Sequence, residues 1–211
     1  DTMIIRGTLA EISAALVNLT YVTGPDADSA ETLTIAVTDN GNTGTGGALT
    51  DNHIINMIVS DINDAPVNTV PGAQTVDEDT DLDLGTSVQI PDVDAFAFDV
   101  ETTISVLNGT LTLGSTPAGL SITAGADASA TMTLRGTIAE INAALNGLTY
   151  RGNLGYNTAH GGIETLTIVT DDLGNTGTGG ALSDTDTVSI TVDAVNDAPV
   201  VTVPGTAPVV N

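Results

Sequence analysis

Apolar and hydroxyl-bearing residues alternate along much of the chain. In Gly119–Thr123, Thr131–Arg135, Thr165–Val169 and Thr187–Val192, a Leu, Ile, Val or Met takes every second place, with Thr or Ser mostly between. A two-residue period puts the apolar set on one face of a pleated ribbon, so each run predicts a half-buried strand. Two further short runs, within Ser105–Leu113, flank Asn108-Gly109, a dipeptide that predicts a two-residue hairpin turn. The period changes at Thr137. Ile138, Ile141 and Leu145 follow at helical spacing. Thr137 and Glu140 match the capping box, in which each side chain satisfies the other's backbone N–H. A helix is expected from about Thr137 to Asn146, closed by Gly147, and Thr8–Leu16 repeats the pattern. Short strands with frequent turn signals predict an all-β fold, a Greek-key β-sandwich of about seven strands with one short helix per module.

The pattern recurs along the chain, and the recurrence fixes the organisation. Residues 1–21 align with 130–150 at an offset of 129, and residues 31–67 align with 164–200 at an offset of 133. The four-residue difference is an insertion in the loop after Tyr150. After each Asn-Asp-Ala-Pro-Val the sequence restarts, with Val70-Pro71-Gly72-Ala73 echoed by Val203-Pro204-Gly205-Thr206. Three pieces are expected: residues 1–67, the C-terminal half of a module; 68–200, a complete module; and 201–211, the opening of a third. The chain thus reads as an internal piece of a tandem array. The missing strands of the half-modules would come from flanking sequence or from other copies of the chain.

Charge restricts what such modules bind. Twenty-seven Asp and Glu stand against three Arg and no Lys, a formal net charge of −24. That excess repels nucleic acid and anionic membrane surfaces, and it attracts cations. Disorder is the ordinary outcome for so acidic a chain, but 41% hydrophobic residues in strand period argue for a packed core. With 2% aromatics that core is aliphatic, and stacking platforms for sugars are few. Absence of Cys excludes disulfides and thiolate metal sites. No run of the sequence reads as a transmembrane segment or a signal peptide.

The acidic residues gather at seams. Asp61-Ile62-Asn63-Asp64-Ala65-Pro66 ends the first piece, and Asp193–Pro199, containing Asn196-Asp197, ends the second. Asp77-Glu78-Asp79-Thr80-Asp81 lies near the start of the full module, and Asp92-Val93-Asp94 follows. Asp39-Asn40-Gly41 and Asp171-Asp172-Leu173-Gly174 close the Thr-rich strand in each copy. A hard cation such as Ca²⁺ takes six to eight oxygens from carboxylates, amides and backbone carbonyls, which these segments supply in quantity.

The recurring NDAPV, the DEDT, the DVDA and the TDDLGNTGTGG together resemble the cadherin-like tandem repeats of very large bacterial surface adhesins of the repeats-in-toxin secretion class. The resemblance covers the full module and the half-module before it. It implies Ca²⁺ between successive modules. One junction would use Asn63, Asp64, Asp92, Asp94 and Asp172, and the next would use Glu78, Asn196 and Asp197. Where the cadherin linker has a second Asn, this chain has Ala65 and Ala198, and the cadherin Asp-Arg-Glu element has no clear match. The resemblance further implies an extracellular location on a bacterial cell surface, neighbouring modules of the same array as partners, and a structural spacer that holds terminal adhesive domains away from the cell.

Plainer roles account for other residues. Asp99, Glu101, Asp127 and Asp186 are expected to be solvated surface, and Asp77 and Asp79 to be neighbours of Glu78 rather than ligands. Arg6 and Arg135 share a repeat position that suits a structural salt bridge. His53 and His160 have no partner at catalytic or metal-ligand spacing, and Glu11 and Glu140 are explained by capping. The glycine-rich GNTGTGG lacks the Lys of a phosphate-binding loop. Two isolated His, no Cys and no Lys cannot assemble most catalytic sets, so no enzyme is expected. The alternative function is a module that itself binds a partner, a carbohydrate or another cell's array.

Overall fold

A computed structural model of the chain describes residues 2–24, 26–27, 29–41, 44–95, 97–199 and 201. The chain divides into two compact units, Asp1–Ile62 and Asn63–Asn211. Residues Asn63–Val67 go with the second unit, whose carbonyls take up their backbone: Asn63 N–H donates to Thr178 O at 3.1 Å and Val67 N–H to Pro91 O at 2.9 Å. The module opening expected at 201–211 lies outside the described residues apart from Val201.

The first unit holds one helix, α1 (Leu9–Leu16), and one antiparallel hairpin, β1 (Glu31–Thr38) with β2 (Thr50–Met57). The capping box at Thr8 and Glu11 forms as expected. No residue of α1 is buried.

The second unit is an all-β sandwich with two short helices among its described residues. Its larger sheet has the order β3 (Gln74–Asp77), β11 (Ser183–Asp193), β10 (Glu164–Asp171), β5 (Asp99–Ser105), β8 (Thr131–Thr137) and β7 (Ser121–Gly125). Only the β3–β11 pair is parallel. The smaller sheet has the order β4 (Asp81–Asp83), β9 (Thr149–Gly152) and β6 (Gly109–Thr112). The alternation read from the sequence becomes the core. Val100 and Ile104, Met132 and Leu134, Leu166 and Ile168, and Val188, Ile190 and Val192 point inward from the larger sheet, and Leu111 and Tyr150 from the smaller. Helix α2 (Ile138–Leu145) starts at its Thr137–Glu140 box and buries Ile141, Ala144 and Leu145, one helical face.

The described residues contain nine strands in this unit rather than about seven, because three of them, each of three or four residues, make the smaller sheet. A second helix, the four-residue α3 (Thr158–Gly161), occupies the insertion after Tyr150.

The Asn108-Gly109 hairpin does not form. β5 and β6 lie in different sheets, and the chain crosses between them at residues 106–108. The buried Glu164 carboxylate holds that crossing by accepting N–H bonds from Leu107 at 3.0 Å and Asn108 at 2.5 Å. The Tyr150 hydroxyl donates to Asn108 O at 3.0 Å. Gly109 serves as space: a Cβ there would stand 2.5 Å from Arg151 O and run into the Tyr150 ring. Burial, and then the charge of Glu164, push the Tyr150 hydroxyl pKa far above its ordinary value of 10.0.

Candidate metal centre

Three segments of the second unit meet at one end of the larger sheet: the leading strip Asn63–Asn68, the Asp92–Asp94 turn, and the loop joining β10 to β11. Each is held by local chemistry. Asn142 on α2 treats the backbone of Ile90 as a strand partner, its Oδ1 accepting Ile90 N–H at 2.8 Å and its Nδ2 donating to Ile90 O at 3.0 Å. That fixes the approach to Asp92. Asp92 Oδ1 then accepts the N–H groups of Asp94 at 2.9 Å and Ala95 at 3.1 Å, the turn a short carboxylate favours. At the end of β10, Asp172 Oδ1 accepts N–H bonds from Gly174 and Leu182, both at 2.8 Å, clipping the loop shut. Thr176 within the loop donates to Asp94 O at 2.6 Å.

The strip docks onto this frame. The Asn63 amide donates to Asp172 Oδ2 at 2.6 Å and to Gly180 O at 3.0 Å. The backbone N–H of Asp64 donates to Asp94 Oδ2 at 2.5 Å. Further along, Asn68 is buried. Its backbone N–H donates to Asp184 Oδ2 at 2.6 Å, and its Oδ1 accepts from Thr170 Oγ1 at 2.7 Å.

Asn63, Asp94 and Asp172 are 5%, 4% and 2% exposed. Three hydrogen bonds to the Asp172 carboxylate, and the Asp64 N–H bond to that of Asp94, offset the cost of burying them. Asp92 is different. Its Oδ2 is buried with no hydrogen-bond partner, standing alone in this among the described buried side-chain polar atoms. Burial, and then the charges of Asp172 and Asp94, push its pKa above the ordinary carboxylate value. The salt bridges among the described residues lie at exposed pairs, Arg135–Asp99 at 3.4 Å and Arg151–Asp81 at 2.8 Å, and neither is at Asp92.

Of the residues expected at this junction, the structure brings Asn63, Asp92, Asp94 and Asp172 to one place. The Asp64 side chain is exposed, and Asp64 takes part through its backbone. Among the described residues, no group of three or more His, Cys, Asp or Glu side chains already stands as a metal cage. The carboxylates are turned toward backbone N–H groups. What argues for a cation is the chemistry of the set: an orphaned buried oxygen, two neighbouring carboxylates that raise its pKa, and only oxygen donors.

Of the second expected set, the structure places Glu78 against the start of the linker that carries Asn196 and Asp197. Glu78 is buried, but its Oε1 accepts Val195 N–H at 2.7 Å and its Oε2 accepts from Asn157 Nδ2 at 3.3 Å. Asn196 and Asp197 are exposed. The missed partner, Asn157, lies in the insertion that the first copy lacks, so the repeat gave no counterpart to compare. Asn157 also bonds His160 Nδ1 through its Oδ1 at 2.8 Å, which gives that histidine a structural role. Asp127 and Asp99 are exposed as expected, Asp127 also accepting Leu113 N–H at 2.9 Å and Asp99 pairing with Arg135.

No helix among the described residues is long and apolar enough to cross a membrane. No family model matches the sequence, and no curated protein matches it. Among solved structures, the EC1-2 fragment of human mucin-like protocadherin is similar at 12% identity, covering 77% of this chain and 69% of that one, with a TM-score of 0.29. At that score the likeness adds nothing to the description above.

Proposed function

We propose that the chain is part of a calcium-stiffened, non-catalytic spacer in a bacterial cell-surface adhesin, a tandem array of cadherin-like modules that holds adhesive domains away from the cell. The observation that carries this reading is Asp92 Oδ2, a buried oxygen without a partner beside two further carboxylates. An apolar core has no reason to keep such an atom, because an unsatisfied buried acceptor costs about 1–3 kcal/mol. A hard divalent cation turns the liability into a ligand set. Asp92, Asp94 and Asp172 would hold it, with Asn63 and Asp64 contributing from the leading strip. A Ca²⁺ held there by these oxygens would neutralise crowded negative charge. The protein's own part is to present those oxygens on three segments already tied together by Asn142, Thr176 and the Asp172 loop clip. A cation joining the strip to the turn and the loop would stiffen the segment through which force passes along an array. The proposal concerns the Asp92 end, where an oxygen stands unpartnered, whereas both oxygens of Glu78 accept hydrogen bonds, from Val195 and Asn157.

The test is calorimetric titration of the chelator-treated chain with CaCl₂, with thermal melting alongside. Binding in the range of about 10⁻⁴–10⁻³ M is expected, as for extracellular modules, with a melting temperature that climbs as the free ion rises. No binding heat, with coincident melting curves in Ca²⁺ and chelator, would refute the proposal.

A further inference from the structure

The first unit exposes the same positions that the second unit buries. Met3 and Met132 are repeat equivalents, 69% and 0% exposed. Tyr21 and Tyr150 are 49% and 0% exposed, and Ile55 and Val188 are 42% and 1%. Leu19, at 40%, corresponds to Leu148, at 0%. So large an apolar surface on an isolated helix and hairpin marks an interaction site. A two-stranded hairpin is at best marginal alone.

The second unit shows what covers this face. There α2, β10 and β11 are closed over by β3–β7, all from the front half of the module. The free edge of β10 takes β5 in antiparallel register, Thr167↔Ser105 through Asp171↔Glu101, and the outer edge of β11 takes β3 in parallel. Carried over by the repeat, the equivalent edge in the first unit is Thr34–Thr38 on β1. Among the described residues it has no strand partner besides β2. A second copy of the chain is a poor donor: each copy has one front half, already used by its own second unit, and two back halves needing one.

We propose that the apolar face of α1, β1 and β2 is the docking surface for one occupant, a front-half segment of the same repeat type as Asn68–Ser129, supplied within the same polypeptide. It pairs with Thr34–Thr38 in the register that Glu101–Ser105 uses on β10, and its apolar residues cover Met3, Leu19, Tyr21 and Ile55. This does not rest on calcium and holds whether or not a cation binds the second unit.

The test is to place a duplicate of residues 68–129 directly before Asp1 of the full chain, so that Ser129 of the duplicate meets Asp1 as Ser129 meets Ala130 in the second unit. Hydrogen exchange is then read at Ile12, Leu33 and Ile35, with Leu166 as an internal reference. The expected result is at least a hundredfold slowing at the three reporter amides, lost again in the extended chain carrying Leu16→Asp, while Leu166 is unchanged throughout. If the extended polypeptide aggregates, the unextended chain is titrated with the separate 68–129 segment, and saturable protection of the same amides is expected. Reporter amides that exchange as fast in the extended as in the original chain, with Leu166 protected in both, would overturn the proposal, and so would no protection in the titration. Concentration-dependent protection in the original chain alone would overturn it too, in favour of a second copy as occupant.

Discussion

Replacing Asp92 with Asn separates the proposed metal role from ordinary folding, because the two make opposite demands on that side chain. The Asn keeps Oδ1, which accepts the Asp94 and Ala95 N–H bonds, and so preserves the turn. It replaces the orphaned Oδ2, which the Asp94 and Asp172 carboxylates repel, by an NH₂ group that they attract. In chelator the variant should therefore be more stable than the parent. Removing a buried unsatisfied acceptor is worth about 1–3 kcal/mol; Asp92 is only half-buried, so the low end applies, about 1 kcal/mol. For a domain of this size that is a rise of about 2–4 °C in melting temperature. In Ca²⁺ the order should invert. A parent saturated at about a hundred times its Kd gains roughly 2.7 kcal/mol, and the variant, short of one carboxylate, gains much less. The pH profile supplies a second sign. The folded-state pKa of Asp92 is raised above its ordinary 3.8, chiefly by burial and then by Asp172 and Asp94, so the folded state binds the extra proton. Its contribution is present below 3.8 and is lost as pH rises through the raised value. Asp92→Asn removes that fall from the chelator profile. Differential scanning calorimetry of both proteins in chelator and in CaCl₂ reads all of this. A variant that melts below the parent in chelator, or equal calcium shifts in the two, would refute the reasoning.

Gly109→Ala should destabilise the second unit by about 1–3 kcal/mol through overpacking against the Tyr150 ring and Arg151 O, read as a lower urea midpoint with an unchanged slope; a shift under about 0.5 kcal/mol would contradict the packing. Asn68→Ala leaves Thr170 Oγ1 without its buried acceptor and should cost about 2 kcal/mol in the same assay, whereas a neutral result would mean that water replaces the amide. The Glu140 carboxyl is held below its usual 4.5 by the backbone N–H and then the hydroxyl of Thr137, so its capping contribution is present above 4.5 and disappears as pH falls through the lowered value. Melting curves of Glu140→Gln and the parent in chelator should therefore converge in acid and separate toward neutrality, and a constant gap would count against the capping box as the cause.

The elements legible in the sequence are those that a few consecutive residues decide. The Thr137–Glu140 box and the Ile138, Ile141, Leu145 spacing set α2, and alternation set β8, β10 and β11 with their inward faces. The errors came where pairing depends on residues far away. Asn108-Gly109 carries a hairpin signature, yet Glu164 and Tyr150, 56 and 42 positions on, capture that backbone and send the chain into the other sheet. Nothing near residue 108 reveals them. Glu164 opens an alternating strand and reads as its solvated end, but it is 2% exposed. The buried run Asn68–Thr170–Thr102 was hidden because Thr at alternating positions reads as the polar face of the sheet, and here two threonines lie inside it. At the candidate centre, residue types and seam positions were legible, while the division of labour was not. Only the folded chain has Asp64 contributing a backbone N–H and leaves one oxygen of Asp92 unpartnered.

The repeat also isolates what Asp172 does for the fold from what it would do for a cation. Asp39 is its equivalent in the first unit, and its Oδ1 accepts N–H bonds from Gly41 at 2.8 Å and Leu49 at 2.9 Å, as Asp172 Oδ1 does from Gly174 and Leu182. The loop clip is thus made in a unit whose core is uncovered, and it needs one oxygen only. At Asp172 the other oxygen meets Asn63, and the carboxylate's charge reaches Asp92. A side chain kept solely to clip the loop would do as well as an amide at both positions, since Asn retains the accepting oxygen. The negative charge at position 172 is therefore surplus to the hairpin. In a chain at −24, with no Lys and with its Arg135 and Arg151 engaged at exposed carboxylates, a surplus charge beside an orphaned oxygen is what the proposed cation would neutralise.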